Sequence, residues 1–391
     1  MVSKSALKLV ERPSFFVDEG AHWTTESSRP CHSLHYALSY PQQTSPEVAA
    51  FSIARFSKRG DVVLDPFLGS GTTALEALVA GRIAFGSDVN PFFVKVARAK
   101  LQPADITEVT LRLQLLNVKR PVAVETYRNG FSSFYDIDTF REILSLKENL
   151  REREDRVSRF IELVALSLLH GHSAGYFSVY SMPHMSLSPD EQERINRKRA
   201  QSPEYRAVIP RLLRRAAMAL RDGVPSVMVQ QERQSRIAVR DSRDLSYAPS
   251  GSVNLVVTSP PHPGARRTSV DQWLRLWFSG IEPQIASGGE ATHSDLSEWR
   301  VFMNETLLEL ARVTRSGGRC VLDLRELQAR PGSPTIRADE ELLPVVEKEL
   351  SRFWDAECIL VHQPKVPRVQ NQLKARTAEA QSHRLLVLRR R

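Results

Sequence analysis

The sequence predicts an α/β fold whose sheet is interrupted by a mainly helical insertion. Two observations carry this reading. Residues 60 to 91 form a βαβ unit with short connections, and regular strand and helix alternation resumes past residue 235 after a long helical stretch. In GDVVLDPFLGSGTTALEALVAGRIAFGSDVNP, the β-branched run gives a strand over Val62 to Asp65 and the glycines a turn. A helix follows over Thr72 to Val79, Gly81 stops it, and a second strand covers Ile83 to Asp88. The helical tail PFFVKVARAKL comes next. Residues 103–235 carry amphipathic patterns such as RFIELVALSLLHG and VIPRLLRRAAMALRDG and read as helices. The strands RIAVRD and SVNLVVTSPP lead to the helix LSEWRVFMNETLLELARVT, the strand GGRCVLDL, the helix DEELLPVVEKELSRF, and strands at AECILVHQ and HRLLVLRR. QARPGSPT reads as a loop. The sheet domain is therefore expected in two parts, 1–102 and 236–391, around the insertion at 103–235.

Composition narrows the class of protein. A chain of 391 residues with 41% hydrophobic and 25% charged residues can bury a sizeable core and is not a disordered polymer. Cys31, Cys320 and Cys358 are far apart and form no CxxC pair, which argues against a disulfide framework or a zinc site and suits a reducing cytoplasm. With no run of about eighteen apolar residues and no signal-like start, a soluble cytoplasmic protein is expected. The formal charge is +9, from 54 basic and 45 acidic residues. It is concentrated between Arg194 and Arg221, where Arg194, Arg197, Lys198, Arg199, Arg206, Arg211, Arg214, Arg215 and Arg221 face Glu204 as the one acid. A solvated helix face usually mixes signs. This span does not, and it is expected to contact phosphates.

Two motifs carry chemistry. In VVTSPPHPGARR, residues 256 to 267, adjacent prolines end a strand, remove two amide donors and hold the chain open where ligands of an open α/β sheet bind. Gly69 and Gly71 permit a tight strand-to-helix turn and let a ligand approach the backbone, with the amides of the helix starting at Thr72 aimed at it. Asp88, seventeen residues past Gly71, ends the next strand and is placed to accept hydrogen bonds from ribose hydroxyls. Residues Gly69 to Ala74 also fit G-x-G-x-x-G/A, so a nicotinamide or flavin nucleotide stays a rival at this point. No lysine follows the glycines, which disfavours a Walker-type phosphate loop.

DPFLGSGTT together with TSPP resembles the amino-methyltransferases that use S-adenosylmethionine to methylate an exocyclic base nitrogen in DNA. HSLHYALSYPQQTSPEVAAFSIARFSKRGDVVLDPF is similar to that family's leading segment, and RDSRDLSYAPSGSVNLVVTSPP to the strand pair that delivers its catalytic loop. The resemblance implies a class I methyltransferase (Rossmann-like) sheet with helices on both faces. It implies a cofactor site at Asp65, Pro66, Phe67, Gly69, Ser70, Gly71, Thr72 and Asn90, with Asp88 on the ribose, Asp241 near the adenine, and His35 and Ser39 beside the methionine moiety. Ser259, Pro260, Pro261 and His262 would form the catalytic loop, the serine oxygen and a proline carbonyl accepting hydrogen bonds from the target amine. Such acceptors favour a pyramidal nitrogen with its lone pair aimed at the methyl sulfonium, so catalysis is positioning and electrostatics without a covalent intermediate. An S-P-P loop is closer to the cytosine-N4 branch than to the adenine-N6 branch.

One position departs from the pattern. His262 stands where the family usually has Tyr, Phe or Trp to stack on a base removed from the helix. The alternatives are therefore adenine N6 as target, or a non-catalytic relative that binds DNA and cofactor. In the insertion, LHGHSAGYFSVYSMPH (169–184) brings together His170, His172, Tyr176, Tyr180 and His184. No further ligand spacing supports a metal there, so with the basic span it is expected to read double-stranded DNA. Arg197, Lys198, Arg199, Arg211, Arg214, Arg215, Arg266 and Arg267 are the expected DNA contacts. No nuclease motif is visible, so any restriction or defence nuclease would be a separate partner.

Overall fold

The strands are β1 (Phe16–Asp18), β2 (Val62–Asp65), β3 (Ile83–Asp88), β4 (Arg236–Val239), β5 (Val253–Thr258), β6 (Thr314–Gln328), β7 (Thr335–Arg337), β8 (Trp354–His362) and β9 (His383–Arg390). A computed structural model describes residues 16–18, 31–38, 44–118, 121, 123–263, 270–287, 295–328, 335–362 and 383–391. The sheet runs β1-β8-β9-β6-β5-β2-β3-β4, with β7 paired to β6 off this path. From β4 to β6 every neighbouring pair is parallel, and β9 lies antiparallel between β6 and β8. The chain winds from β2 through β3 to the β4 edge, then resumes at β5 on the other side of β2. This is the class I, Rossmann-like arrangement expected from the sequence, and its switch point lies between the carboxyl ends of β2 and β5.

The helices are α1 (Pro46–Phe56), α2 (Thr72–Val79), α3 (Pro91–Leu101), α4 (Ile106–Gln114), α5 (Val124–Arg128), α6 (Ile137–Arg151), α7 (Arg156–Leu166), α8 (Pro189–Arg199), α9 (Val208–Ala219), α10 (Ser226–Glu232), α11 (Trp273–Ser279), α12 (Pro283–Ser287), α13 (Leu296–Val313) and α14 (Ala338–Lys348). A 3-10 turn spans Ser33–Ala37. Side-chain alternation along the strands sends Val63, Leu255, Val257 and Val321 to one face and Leu64, Val256, Cys320 and Leu322 to the other. The second face is covered by α13 and α14 through Trp299, Met303, Leu307, Leu342 and Val346. The first carries α2 and α3, and the same apolar cluster continues without a break into Phe140, Phe160, Val164 and Leu212 of α6, α7 and α9. The helices between β3 and β4 are thus packed on the sheet layer through a shared core.

Local chemistry explains the boundaries. Asn90 accepts from Phe92 N and caps α3 ahead of Pro91, while capping boxes start α4 at Asp105 and α8 at Ser188. The expected βαβ strands and helix appear with the bounds read from the sequence. The helix predicted over DEELLPVVEKELSRF ends earlier, at Lys348, and Gln328 and Thr335 of the expected loop belong to β6 and β7; the rest of that loop lies outside the described residues. Among the described residues no helix is long and apolar enough to cross a membrane.

Gly71 shows why the turn after β2 needs glycine. Its φ is +82°, and a Cβ there would lie 2.9 Å from the Ala97 side chain on α3. Gly71→Ala combines left-handed strain with overpacking of the α2–α3 contact and should cost about 2–4 kcal/mol. Urea denaturation would check this: an unchanged midpoint would mean that α3 moves aside at no cost.

Candidate active site

The switch point brings the two motifs together. β2 and β5 are paired in register, Leu64 beside Val256, so the chain leaves both strands at the same edge. There Thr258 Oγ1 donates to Asp65 Oδ1 at 2.6 Å, and Phe67 N donates to the same oxygen at 3.1 Å. Asp65 is 2% exposed. Burial pushes its carboxyl up to about 6, against the opposing pull of the hydrogen bonds from Thr258 and the Phe67 amide.

The glycine turn is built around Asp88. Its Oδ2 accepts from Gly69 N at 2.9 Å and its Oδ1 from Asn90 N at 2.9 Å, which fixes the carboxylate at the end of β3. Gly69 has φ +48°, and a Cβ there would have Phe67 O as its nearest neighbour, at 3.9 Å, so the space over this backbone is open. Ser70 Oγ is buried without a protein partner. An open glycine backbone, an orphaned hydroxyl, the amino end of α2 and a pinned carboxylate fit the nucleoside and amino-acid parts of S-adenosylmethionine. Pro66 and Thr72 frame the turn, and Phe67 packs its ring against Phe302 at 5.9 Å. The Asn90 side-chain oxygen is engaged in capping α3, and its backbone N–H donates to Asp88. Asp241 lies just past β4, where Arg243 meets both its oxygens at 2.9–3.0 Å. His35 is buried with Nε2 at 2.6 Å from Glu76 of α2, and its Nδ1 has no partner. Ser39 lies outside the described residues.

The SPP loop is held from its flanks. Ser259 Oγ donates to Asp323 O at 3.2 Å, and Asp323 in turn carries His383 Nδ1 at 3.0 Å. The fully buried Trp299 of α13 donates its Nε1–H to Pro261 O at 2.8 Å. Pro260 is buried and His262 half-buried. The Trp299 anchor was not legible in the sequence, where Trp299 is one of several apolar positions on an amphipathic helix.

The insertion docks on the segment that follows this loop. Ser186 N donates to Asp271 O at 2.7 Å, Gln272 Nε2 to His184 O at 2.9 Å, and Trp273 Nε1 to Leu187 O at 2.8 Å. Trp273 and Trp277 pack on Phe131, Phe134 and Phe140. His170 is buried between Met182 O and Ser186 Oγ, and burial drives its pKa down to about 3. No group of metal-ligating side chains occurs among the described residues.

The basic span does not form one surface. Arg206 is buried and donates to Ser173 O, Tyr176 O and Ser178 O, so it organises the 169–184 segment from inside. Arg197 is exposed 3.6 Å from Glu193, Lys198 is exposed, and Arg199 lies over the Tyr180 ring at 3.8 Å. Arg211 donates to Ala174 O and Arg215 to Tyr36 O, and with Arg214, His172 and Tyr176 they line a cleft of about 680 Å³. Arg266 and Arg267 lie outside the described residues.

Residues 14–99 match the model of the N6 and N4 methylase family, described as DNA methylase. The chain is 32% identical over 93 residues to the Type II methyltransferase M.MjaII of Methanocaldococcus jannaschii, which is 24% of this chain and 17% of that protein. It is 36% identical over 72 residues to the Type II methyltransferase M2.DpnII of Streptococcus pneumoniae, 18% of this chain and 27% of that one. The match therefore spans about a quarter or less of these relatives' length. A solved geranyl diphosphate C-methyltransferase from Streptomyces coelicolor aligns over 91% of this chain and 87% of its own with a TM-score of 0.35 and 11% identity.

The buried Asp65 carboxyl predicts a pH signature. The folded state keeps its proton up to about pH 6, whereas the unfolded chain releases it near 3.8. Between these values the native state binds more protons, so this group's contribution is fully present below about pH 4 and is lost as pH rises to about 6. The loss should amount to about 3 kcal/mol. Asp65→Asn keeps an acceptor for Thr258 and should lack this component. The check is the difference between the urea midpoints of the two proteins at pH 4 and pH 7; a difference that does not change with pH would show that Asp65 titrates normally.

Proposed function

We propose that this chain, whose residues 14–99 carry the segment shared by the N6 and N4 DNA methylases, is an S-adenosylmethionine-dependent methyltransferase acting on an exocyclic amine in DNA, with cytosine N4 as the target. The observation that carries this reading is the orientation of the SPP loop beside the glycine turn. Ser259 directs its hydroxyl proton at Asp323 O, so its lone pairs remain to accept. Trp299 occupies Pro261 O, which leaves the Pro260 carbonyl as the second acceptor. Two rigid acceptors on the amine's hydrogens favour the pyramidal nitrogen that attack requires.

Gly69, Gly71, the amino end of α2 and Asp88 would hold the cofactor, which supplies an electrophilic methyl on a sulfonium. The residues of the loop orient the base so that its nitrogen lone pair lies in line with that carbon, and the surplus proton leaves the product nitrogen for solvent. The base leaves its stack to reach the loop, with His262 in the place of the usual aromatic. The 169–184 segment and the cleft of Arg211, Arg214 and Arg215 are suited to positioning double-stranded DNA. Such an enzyme would mark self DNA beside a separately encoded restriction or defence nuclease.

The direct test is incubation with labelled S-adenosylmethionine and mixed genomic DNA, digestion to nucleosides and mass identification. N4-methylcytosine is expected. N6-methyladenine would keep the loop chemistry and refute the base assignment, and cofactor binding without any labelled nucleoside would favour a non-catalytic relative, with His262→Tyr as the first variant to restore transfer. Ser259→Ala should lower kcat by about 10²-fold and Trp299→Phe by about tenfold, both with unchanged S-adenosylhomocysteine affinity by calorimetry. Full activity of Ser259→Ala would remove the serine from the mechanism.

A further inference from the structure

We propose that a second cleft, bounded by α3, the α6–α7 turn and the end of α11, seats the phosphodiester backbone of the DNA; the proposal rests on the methyltransferase reading above. The cleft encloses about 730 Å³ and is lined by Lys95, Arg98, Lys147, Arg151, Arg153 and Arg159 against two acids, Glu154 and Glu162. Glu162 is already matched by Lys95 at 2.7 Å. Two of the four arginines are oriented by neutral acceptors: Arg98 donates to Ile237 O, and Arg159 to Gln102 Oε1 and Glu154 O. Their positive charge is therefore held in place without being cancelled. Lys147 is seated on the Trp277 ring at 4.7 Å, and burial together with Arg151 lowers its pKa, which a bound anion would oppose.

Shape and place select a strand over a small anion. The lining residues of α3 run from Pro91 past its end to Gln102, a helix length of about 16 Å, and this matches the rise of roughly four to five nucleotides of one strand. Pro91 and Val239 put the upper end of the cleft at the carboxyl edge of β3 and β4. β4 is three positions from β5 in the sheet, about 14 Å, comparable with the roughly 12 Å width of a major groove. A backbone in the cleft thus leaves the catalytic loop within reach of a base on the neighbouring turn. Phe278, Ser279 and Gly280, at the carboxyl end of α11, form another part of the wall, and α11 is the first helix after the SPP loop in the chain.

The test is fluorescence anisotropy of a mixed-sequence duplex across a salt series, for the intact chain, Arg151→Gln/Arg153→Gln and Arg151→Lys/Arg153→Lys. Both positions are exposed and end α6 or follow it, so the fold should survive, as unchanged S-adenosylhomocysteine affinity would verify. The glutamine pair is expected to reduce the slope of log Kd against log salt by about 2, and the lysine pair to retain it. A wild-type slope retained by the glutamine pair would exclude the cleft and leave the methyltransferase reading standing. Absence of any salt-dependent duplex affinity in the intact chain would overturn both. Loss of affinity for a nucleoside triphosphate with an unchanged duplex slope would assign the cleft to a free nucleotide and overturn the backbone proposal.

Discussion

The hydrogen bond from Thr258 to Asp65 is the constraint on which the site depends. It joins residues 193 positions apart at the ends of β2 and β5, the two strands that flank the switch point. Remove it and the sheet still pairs, but the direct side-chain link between the two strand ends is lost, leaving the turn and the loop joined through α13, where Phe302 packs on Phe67 and Trp299 holds Pro261. The bond is short because both partners are buried, and in a medium of low dielectric an acceptor left without its donor is costly. The same burial raises the carboxyl's pKa. The site therefore contains an acid whose protonation is coupled to the alignment of the two motifs.

From this bond outward, each motif has its own support. On the β2 side, Gly69 N is held by Asp88, and Gly71 lets α2 start against α3. The ribose-binding carboxylate expected from the sequence is thus also the residue that shapes the turn, and its two oxygens are fixed before any ligand arrives. Preorganisation of this kind lowers the reorganisation needed on binding. On the β5 side, Trp299 and Asp323 hold the loop through Pro261 and Ser259. Prolines need such anchors because they offer no amide hydrogen of their own.

What was legible in the sequence divides along physical lines. The βαβ unit could be read with its bounds because its signals are local: β-branched runs, glycines of positive φ, and a helix of the right period. Switch-point placement of both motifs followed from resemblance and from the rule for strand ends. The basic span was legible as charge but not as surface. Charge along the chain does not reveal burial, and Arg206 is inside, donating to three carbonyls of a segment some thirty residues away. Trp299 and the lateral cleft were invisible because each depends on side chains that only the tertiary fold brings together.

The insertion also packs on the chain that leads into α11 beyond the SPP loop. Ser186 N donates to Asp271 O, and the carbonyls of Pro183, His184 and Leu187 accept from the side chains of Arg275, Gln272 and Trp273, on the stretch that enters α11. Trp273 and Trp277 then enter an aromatic cluster with Phe131, Phe134 and Phe140 of the insertion. Buried main-chain groups without partners are costly, so the two segments stay together as long as this contact stays dry. Trp299 meanwhile fixes the Pro261 end of the SPP loop to α13. The loop is therefore tied to β2 at its entry through the Asp65 bond and to a helix packed on the sheet at Pro261, and the insertion adds a third support by packing on the chain from Asp271 onward, so the position of the loop is set by three separate parts of the fold.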